Sequence, residues 1–220
     1  MQGLFITGTD TGVGKTLVSC SLLEYFNQRG HSTLGLKPVA AGCDSTAQGL
    51  RNEDAVAMMQ SSSVKLPYAD INPYAFEPAI APHLAAEDAG VCLDAEVLSQ
   101  YCHSMESRAD KLIIEGAGGW KVPLNTHEGF DNLARKLEIS VVLVVGIKLG
   151  CINHALLTVE AISFSGLKLE GWVANCCDPD AERVAENILT LEQKIAEPKL
   201  ATLPFCETPL PKEMVQYFCL

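Results

Sequence analysis

The sequence lacks any cluster of lysine or arginine residues, and acidic side chains outnumber basic ones. It has 16 lysine and arginine residues against 27 aspartate and glutamate residues, which gives a formal net charge of −11. A protein of that charge repels nucleic acid and anionic membranes unless it carries a basic patch. We therefore expect neither nucleic acid nor a membrane as a partner.

Long apolar runs are also missing. The most apolar stretch, residues 141–147, ends at Lys148 and is far shorter than the roughly 20 residues that span a bilayer. The first residues lead directly into a strand pattern, without the basic segment and cleavage site of a signal peptide. We therefore expect a cytoplasmic protein.

The nine cysteines include no Cys-x-x-Cys pair, the spacing that zinc sites commonly use. Their number is odd, and Cys20, Cys102 and Cys151 lie within apolar runs. Free cysteines in a reducing compartment behave as small buried apolar residues. That interpretation is favoured here over a disulfide framework or a zinc site.

Internal repeats, low-complexity tracts and linkers are absent from the 220 residues, a length that suits one domain. Buried-strand patterns alternate with helical patterns along the chain. Strands are predicted at residues 3–7, 32–40, 111–116, 140–146, 169–175 and 199–204. Helices are predicted at residues 17–30, 52–60, 94–109, 129–138, 153–166 and 180–196, and a long proline-containing loop at residues 64–90.

Several of the predicted strands have no polar face, which is typical of a parallel sheet covered by helices on both sides. We therefore predict a single α/β domain over residues 1–220, with a doubly wound parallel sheet flanked by helices. The functional residues of such a fold lie at the carboxyl ends of its strands.

The stretch GTDTGVGKT, residues 8–16, ends in the Gly-Lys-Thr of a phosphate-binding loop. It follows a predicted strand and opens a predicted helix, which is the context that such a loop requires. The predicted α/β fold is therefore of the P-loop NTPase type. One departure is the first glycine, which stands at Gly8 where the usual spacing would put it at position 9. Lys15 would neutralise the β- and γ-phosphates, and Thr16 would offer its hydroxyl to Mg²⁺.

Magnesium needs further oxygen ligands, and two acidic residues are candidates. Glu115 closes a hydrophobic strand, as the acidic residue of the second NTPase motif does, although an ordinary charge at a strand end would look the same. Asp54 lies near the start of a predicted helix, where it could equally stabilise the helix dipole. The glycines that follow Glu115 indicate a close approach of backbone to ligand.

Lys37 is the unusual residue of an apolar strand. A lysine there is costly unless its ammonium reaches an anion. Pro38 should end the pairing of this strand, so Lys37 is expected to project at the edge of the site. The alternative is an ammonium that extends to solvent.

Bent phosphate loops also occur in partition and cell-division ATPases. These proteins share an additional lysine, which stands five residues before the invariant lysine and reaches across a dimer. That position is Asp10 in this sequence, which disfavours the class. A partner-regulated P-loop ATPase of this kind is kept as the less favoured alternative function.

Six further stretches, taken with the phosphate loop, resemble the dethiobiotin synthetase family. They are KPVAAG, LRNEDA, NPYAF, EGAGGW, VVLVVGIKLGCINHALLT and GWVAN. They occur in the family's order from about residue 5 to residue 204, and the pairing of EGAGGW with KLGCINHA is the most specific part. Residues 207–220 match weakly.

The resemblance implies an ATP- and Mg²⁺-dependent ring closure. The family joins carbon dioxide to 7,8-diaminopelargonate (7,8-diaminononanoate) and releases dethiobiotin, ADP and phosphate. One amine forms a carbamate, the carbamate takes the γ-phosphate to give a carbamic–phosphoric anhydride, and the second amine then closes the ring. The family acts as a homodimer, so a second copy of the chain is an expected partner alongside these small molecules.

The resemblance also implies roles for individual residues. The positions that match catalytic residues are Thr11, Lys15 and Lys37, and those that match the metal ligands are Thr16, Asp54 and Glu115. The nucleotide is expected to contact Gly12, Val13, Gly14, Lys15, Thr16, Leu17, Asp54, Glu115, Gly116, Ala117, Gly118, Asn175, Cys176, Pro204, Phe205 and Cys206. The substrate is expected to contact Lys37, Ala41, Gly118, Leu149, Gly150, Cys151, Ile152 and Asn153.

The segment 149–153 matches the part of the family that reaches the neighbouring subunit's substrate. It opens a predicted helix, whose free N–H groups can hold a carboxylate. From the residues alone, a plain strand-to-helix turn and a packed or surface His154 are the favoured interpretations.

Three positions depart from the family. Gly12 and Pro211 stand where relatives carry an acid, and Ala41 stands where relatives often carry serine. None belongs to the set of two lysines and two acids, so we expect catalysis to be retained and affinities to be altered.

Overall fold

The computed structural model describes residues 3–220 and alternates strands with helices. In chain order the elements are β1 (Gly3–Gly8), α1 (Lys15–Asn27), β2 (Thr33–Leu36), β3 (Val39–Ala41), β4 (Asp44–Thr46), β5 (Gly49–Arg51), α2 (Glu53–Ser61), α3 (Tyr68–Ile71), β6 (Tyr74–Phe76), α4 (Pro82–Asp88), α5 (Ala95–Ser104), β7 (Lys111–Gly119), α6 (Phe130–Leu137), β8 (Ser140–Gly146), α7 (Cys151–Phe164), β9 (Leu169–Asn175), α8 (Val184–Lys194), β10 (Lys199–Leu203) and α9 (Pro211–Met214). Short 3-10 turns occupy Glu106–Arg108 and Val215–Tyr217.

The main sheet has six strands in the order β10-β9-β8-β1-β7-β2. Every neighbouring pair in it is parallel. Two small ladders stand apart from it, a parallel one between β3 and β6 and an antiparallel one between β4 and β5. All carboxyl ends of the main strands therefore meet at one edge of the sheet, which is where ligands bind in such folds.

Helices cover both faces of this sheet. Neighbouring residues of one strand alternate between two cores, so that Phe5 packs with residues of α5, α6, α7 and α8, whereas Ile6 packs with residues of α1 and α9. Both cores are closed to solvent, which explains why the strands have no polar face. The predicted doubly wound α/β fold is confirmed.

The predicted strand at residues 32–40 is wrong beyond Leu36. The main-sheet pairing of β2 with β7 ends there, and β3 pairs with β6 in its own ladder. Pro38 has no N–H to donate and so separates the two strands. Lys37 lies at this break, just past the carboxyl end of β2.

The predicted loop at residues 64–90 is wrong at three places, since it contains α3, β6 and α4. Pro67 stands at the N-cap of α3 and Pro82 at the first position of α4. Proline suits the start of a helix because its missing N–H would have no partner there and its φ is already helical. The prolines of this region therefore begin helices as well as interrupting them.

Two helices begin with a glycine in the left-handed region, Gly14 before α1 and Gly150 before α7, both with a φ of 91°. The two helices consequently start earlier than the periodicity predicted. Asn52 caps α2 as predicted, with its side chain accepting a hydrogen bond from the N–H of Ala55. In residues 3–220, no helix is both long and apolar enough to cross a bilayer.

Candidate active site

The phosphate loop connects β1 to α1 over residues 8–16. Gly12 and Gly14 have positive φ, 74° and 91°, and a Cβ at Gly8 would come within 2.7 Å of a methyl group of Val13. The loop thus folds back on itself over Lys15, whose ammonium donates to the carbonyl of Asp10 at 3.1 Å. This is the shape that places backbone N–H groups around a phosphate.

Three oxygen-bearing side chains converge beneath the loop. The hydroxyl of Thr16 lies 2.6 Å from Asp54 Oδ1 and 3.0 Å from Glu115 Oε1, yet its single hydrogen can serve one carboxylate at a time. Glu115 is fully buried, and its Oε2 has no hydrogen-bond partner among the described residues. Such an excess of hard oxygens fits a Mg²⁺ ion.

No group of three or more His, Cys, Asp and Glu side chains suited to a metal occurs in the described part of the chain. That is compatible with magnesium, which is usually held by one or two carboxylates together with phosphate and water oxygens. Thr16, Asp54 and Glu115 are therefore the residues that would hold it.

Lys37 is 3% exposed, so its ammonium does not extend to solvent. It donates to Glu115 Oε1 at 2.6 Å, to Asp54 Oδ2 at 2.9 Å and to the carbonyl of Gly116 at 3.1 Å. Burial alone would lower the pKa of Lys37, but the two carboxylates outweigh it and hold that pKa above its ordinary value. The result is a permanent cation fixed at three points.

Lys15 has the opposite balance. Burial lowers the pKa of Lys15, and the neighbouring charge of Lys37 lowers it further, against the carboxylates that raise it. Burial also favours the neutral form of Asp54, but the charge of Lys37 and the Thr16 hydrogen bond keep the Asp54 pKa below its usual range. Two cations thus face two carboxylates, and the negative charge of a bound polyphosphate would favour the charged form of Lys15.

A cavity of about 770 Å³ opens above these groups, a volume within the range of small-molecule sites. Its charged floor is formed by the phosphate loop, Lys37 and Asp54. Apart from Asn52 and Glu53, the rest of its lining is apolar. Its lining residues are Thr11, Gly12, Gly14, Lys15, Thr16, Lys37, Ala40, Ala41, Asn52, Glu53, Asp54, Ala79, Ile80, Ala81, Pro82, Ala117, Gly118 and Val122.

Most of the predicted site residues lie at this cavity or directly behind it. Glu115 and Gly116 lie behind Lys37, Val13 is buried under the loop, and Leu17 is in the first turn of α1. Asn175 is at the end of β9, where its amide donates to the carbonyl of Val13 at 2.8 Å. It therefore joins the phosphate loop to the outer part of the strand edge.

The remaining predicted residues do not line the cavity. Cys176 is tied to the end of β10 by its N–H, which donates to the carbonyl of Leu203, and residues 204–206 follow as an exposed loop. The segment 149–153 forms the start of α7, where Leu149 is fully exposed and Cys151 is buried. Nearby, Lys148 pairs with the Asp10 carboxylate at 3.4 Å.

Sequence reasoning missed the apolar wall of the cavity. Ala79, Ile80 and Ala81 fall in the stretch predicted as a loop, and Val122 follows the glycine-rich end of β7. The available signal was proline spacing, since Pro78 and Pro82 bracket the segment. A bracketed apolar segment beside a functional loop is typical of a ligand-facing surface.

Solved structures share this architecture at low sequence identity. The septum site-determining protein MinD of Pyrococcus horikoshii, complexed with Mg-ADP, aligns with a TM-score of 0.58 at 14% identity, over 92% of this chain and 81% of its own. The cobyrinic acid a,c-diamide synthase of Mycobacterium smegmatis, with bound ADP and magnesium, gives 0.56 at 14% identity, over 98% and 91%. These likenesses show the fold alone. With the phosphate loop, they define a protein of the P-loop NTPase class.

Sequence comparison identifies the family. A family profile described as an AAA domain matches residues 2–210. The ATP-dependent dethiobiotin synthetase of Cellvibrio japonicus is 55% identical over 92% of this chain and 89% of its own, and that of Pseudomonas aeruginosa strain UCBPP-PA14 is 49% identical over 100% and 97%. The chain belongs to the dethiobiotin synthetase family.

Proposed function

We propose that this protein is an ATP- and Mg²⁺-dependent cyclo-ligase that converts 7,8-diaminopelargonate and carbon dioxide into dethiobiotin, ADP and phosphate. Family membership supports the reaction. The structural observation that carries the proposal is the buried ammonium of Lys37, held between two carboxylates at the mouth of the phosphate loop. A fixed cation there stabilises the charge that develops as an oxygen attacks the γ-phosphate.

The reaction has three steps. One amine adds to carbon dioxide and loses a proton, which leaves a carbamate. A carbamate oxygen bonds to the γ-phosphorus as the bond to ADP breaks, giving a carbamic–phosphoric anhydride. The second amine then attacks the carbonyl carbon, loses a proton and expels phosphate. The protein must supply position and charge neutralisation for these steps more than covalent help.

The phosphate loop supplies the first part of that requirement. Its backbone N–H groups and the start of α1 would hold the phosphates, and the Lys15 ammonium, now bonded to its own loop, would turn to them. Thr11 lines the cavity beside the loop and is proposed to contact both substrate and phosphate. Thr16, Asp54 and Glu115 would hold Mg²⁺, which would supply a Lewis acid that neutralises phosphate oxygens.

The apolar wall suits the methylene chain of the diamine. Ile80 and Val122 line the same cavity as Lys37, so the two amines could meet Lys37 while the chain lies against carbon. Ala41 and Gly118 border the same space. Small side chains there leave room for a substrate close to the transferring phosphate.

We propose a homodimer in which the segment 149–153 of a second copy closes the diamine site. Leu149 is 100% exposed and Phe164 is 96% exposed, which is unusual for large apolar residues of one helix region in an isolated chain. A groove between Leu157 and the segment after Trp120 runs alongside. The free N–H groups at the start of α7 are suited to the substrate's carboxylate.

The base of the nucleotide is proposed to lie at the outer edge, against Asn175, Cys176 and the exposed loop 204–206. The Asn175 amide has one hydrogen committed to Val13, and its second hydrogen and its oxygen can pair with the edge of adenine. ATP is the expected nucleotide, and the cytoplasm is the proposed location.

The proposed reaction is tested by incubating the purified protein with the diamine, bicarbonate, ATP and Mg²⁺ and detecting dethiobiotin by mass spectrometry. The expected result is one ADP released for each dethiobiotin formed, with no product when any component is omitted. ATP turnover that ignores the diamine, with no dethiobiotin, would instead support the partner-regulated ATPase.

A further inference from the structure

Two of the sequence stretches noted above, LRNEDA and NPYAF, contain more polar residues than the proposed reaction uses. Asp54 belongs to the first and is assigned to the metal. Asn52 of the first and Asn72 of the second are buried, with 6% and 3% of their surfaces exposed. Buried amides are costly unless they are hydrogen-bonded, so their partners show what they do.

Asn72 holds the backbone of Lys37. The main-sheet pairing of β2 ends one residue earlier, and the next residue is a proline without an N–H. The Lys37 N–H donates to the carbonyl of Ile71 at 2.9 Å, and the Lys37 carbonyl accepts from Asn72 Nδ2 at 2.7 Å. Both backbone groups of the lysine are thus fixed by two consecutive residues.

Both the nitrogen and the oxygen of the Asn72 amide are hydrogen-bonded. Its Nδ2 also donates to the carbonyl of Tyr74 at 3.1 Å, and its Oδ1 accepts from the hydroxyl of Tyr68 at 2.8 Å. Because both Nδ2 partners are carbonyls and the Oδ1 partner is a hydroxyl donor, the amide has one orientation. The two carbonyls fix the orientation of the amide, and the Tyr68 hydroxyl occupies its oxygen.

The same hydroxyl fixes the helix that carries Asp54. Tyr68 Oη accepts from the N–H of Asn52 at 2.8 Å, and Asn52 caps α2 through Ala55. On its other side, the guanidinium of Arg51 lies 4.2 Å from the centre of the Tyr68 ring, within the range of a cation–π contact. Asp54 follows as the second residue of that helix.

These contacts close a ring. It runs from the Lys37 backbone through Asn72, Tyr68 and Asn52 to the start of α2, and returns from Asp54 to the Lys37 ammonium at 2.9 Å. We propose that Tyr68 and Asn72 are positioning residues that set the distance between the Lys37 ammonium and the Asp54 carboxylate. The relevance to ring closure rests on the function proposed above.

Tyr68→Phe is the sharpest test, because it removes the shared hydroxyl and keeps the ring against Arg51. Tyr101→Phe is a matched control. Its hydroxyl donates to the backbone carbonyl of Asp70 at 2.8 Å and is not bonded to Lys37, Asn52 or Asn72. We expect Tyr68→Phe to lower kcat about 10- to 100-fold with KM for ATP nearly unchanged, since small misplacements at a reacting centre have effects of that order.

A double-mutant cycle separates positioning from general destabilisation. In a Lys37→Ala background, measured with excess enzyme, Tyr68→Phe should have little further effect on turnover. Asn72→Ala should behave like Tyr68→Phe in both backgrounds. Equal losses with and without Lys37, or a loss in Tyr101→Phe as large as in Tyr68→Phe, would overturn the proposal.

A second readout does not depend on the reaction. In protein labelled with ¹⁵N-lysine, the buried Lys37 ammonium should give a resolved signal that Tyr68→Phe shifts or broadens and Tyr101→Phe leaves unchanged. An unmoved signal in Tyr68→Phe would overturn the positioning role even if dethiobiotin is made. A signal that moves in an enzyme that makes no dethiobiotin would retain the positioning role and remove the proposed function.

Discussion

The two ends of the ligand-binding edge of the sheet differ in exposure. We call the buried end, at β1, β7 and β2, the complete end, and the exposed end, at β8, β9 and β10, the open end. Around β1, β7 and β2, the polar groups are buried and bonded to one another, with Lys37 3% exposed and Glu115 fully buried. Around the ends of β8, β9 and β10, Leu149 and the loop 204–206 face solvent. The charged centre is therefore built within one chain, whereas the outer part offers surfaces that a ligand or a second copy would complete.

Lys37→Ala should have the largest effect, because it removes the fixed cation from the complete end. We expect turnover to fall by roughly 10²–10³, the usual result of deleting one preorganised charge or donor. The measurement is dethiobiotin formation at saturating substrates. Lys136→Ala, which removes a surface lysine paired with Glu96 at 2.9 Å, is the control and should retain full activity. Full activity in Lys37→Ala would show that a buried cation at this place is only structural.

Glu115→Gln should come next, because it keeps the shape of the site and removes one negative charge. The Mg²⁺ concentration needed for half-maximal activity should rise by about tenfold or more, since loss of outer-shell partners alone weakens metal sites about 10- to 100-fold. A Mg²⁺ titration at fixed ATP measures this. Glu128→Gln, remote from the phosphate loop, is the comparison, and identical titrations for both variants would take Glu115 out of the metal shell.

Leu149→Asp probes the open end. Folding stability should change by less than about 0.5 kcal/mol, as expected for an exposed position, while KM for the diamine should rise by about tenfold. Kinetics and sedimentation together show whether a second copy is involved. Val97→Asp, at a half-exposed position on α5, should leave both unchanged. An unaltered KM and an unaltered oligomeric state in Leu149→Asp would remove this segment from the substrate site.

The smallest effect concerns a surface contact outside both ends. His103 bonds to Glu106 and to the carbonyl of Lys136, and the Glu106 contact raises the His103 pKa. A raised pKa stabilises the fold below the unfolded histidine value of about 6.5, and that contribution is lost as the pH rises through the folded value. The difference in Tm between the wild type and His103→Gln should therefore be larger at about pH 5.5 than at pH 9. A difference independent of pH would contradict it.

The sequence predicted the complete end better than the open one. Lys37 and Glu115 could be found because a charge in an apolar strand stands out, and the phosphate loop could be found because its glycines are spaced for a turn. A charged residue in an apolar strand is visible in the local sequence. Its place near the site follows because the carboxyl ends of parallel strands meet at one edge of the sheet, whatever the loops between them.

The cavity wall and the positioning residues were harder to predict. Pro67 and Pro82 stand at the starts of helices, although several prolines in one stretch usually indicate a loop. The proposed role of Asn72 depends on Tyr68 and Lys37, which lie 4 and 35 residues away in the sequence. Those contacts depend on how β3 and β6 pair, which no single-residue pattern encodes. The role of residues 149–153 was predicted from the family resemblance. It concerns contact with a second copy of the chain, and it stays a prediction.

The separate β3–β6 ladder has a consequence for how such a site can change. Because these strands pair with each other and not with the main sheet, residues 79–81 of the apolar wall are not part of the six-stranded register. Substitutions at these three positions therefore need not disturb the register of the central strands. A designer seeking a different diamine would rebuild residues 79–81 and keep Tyr74, whose carbonyl holds Asn72.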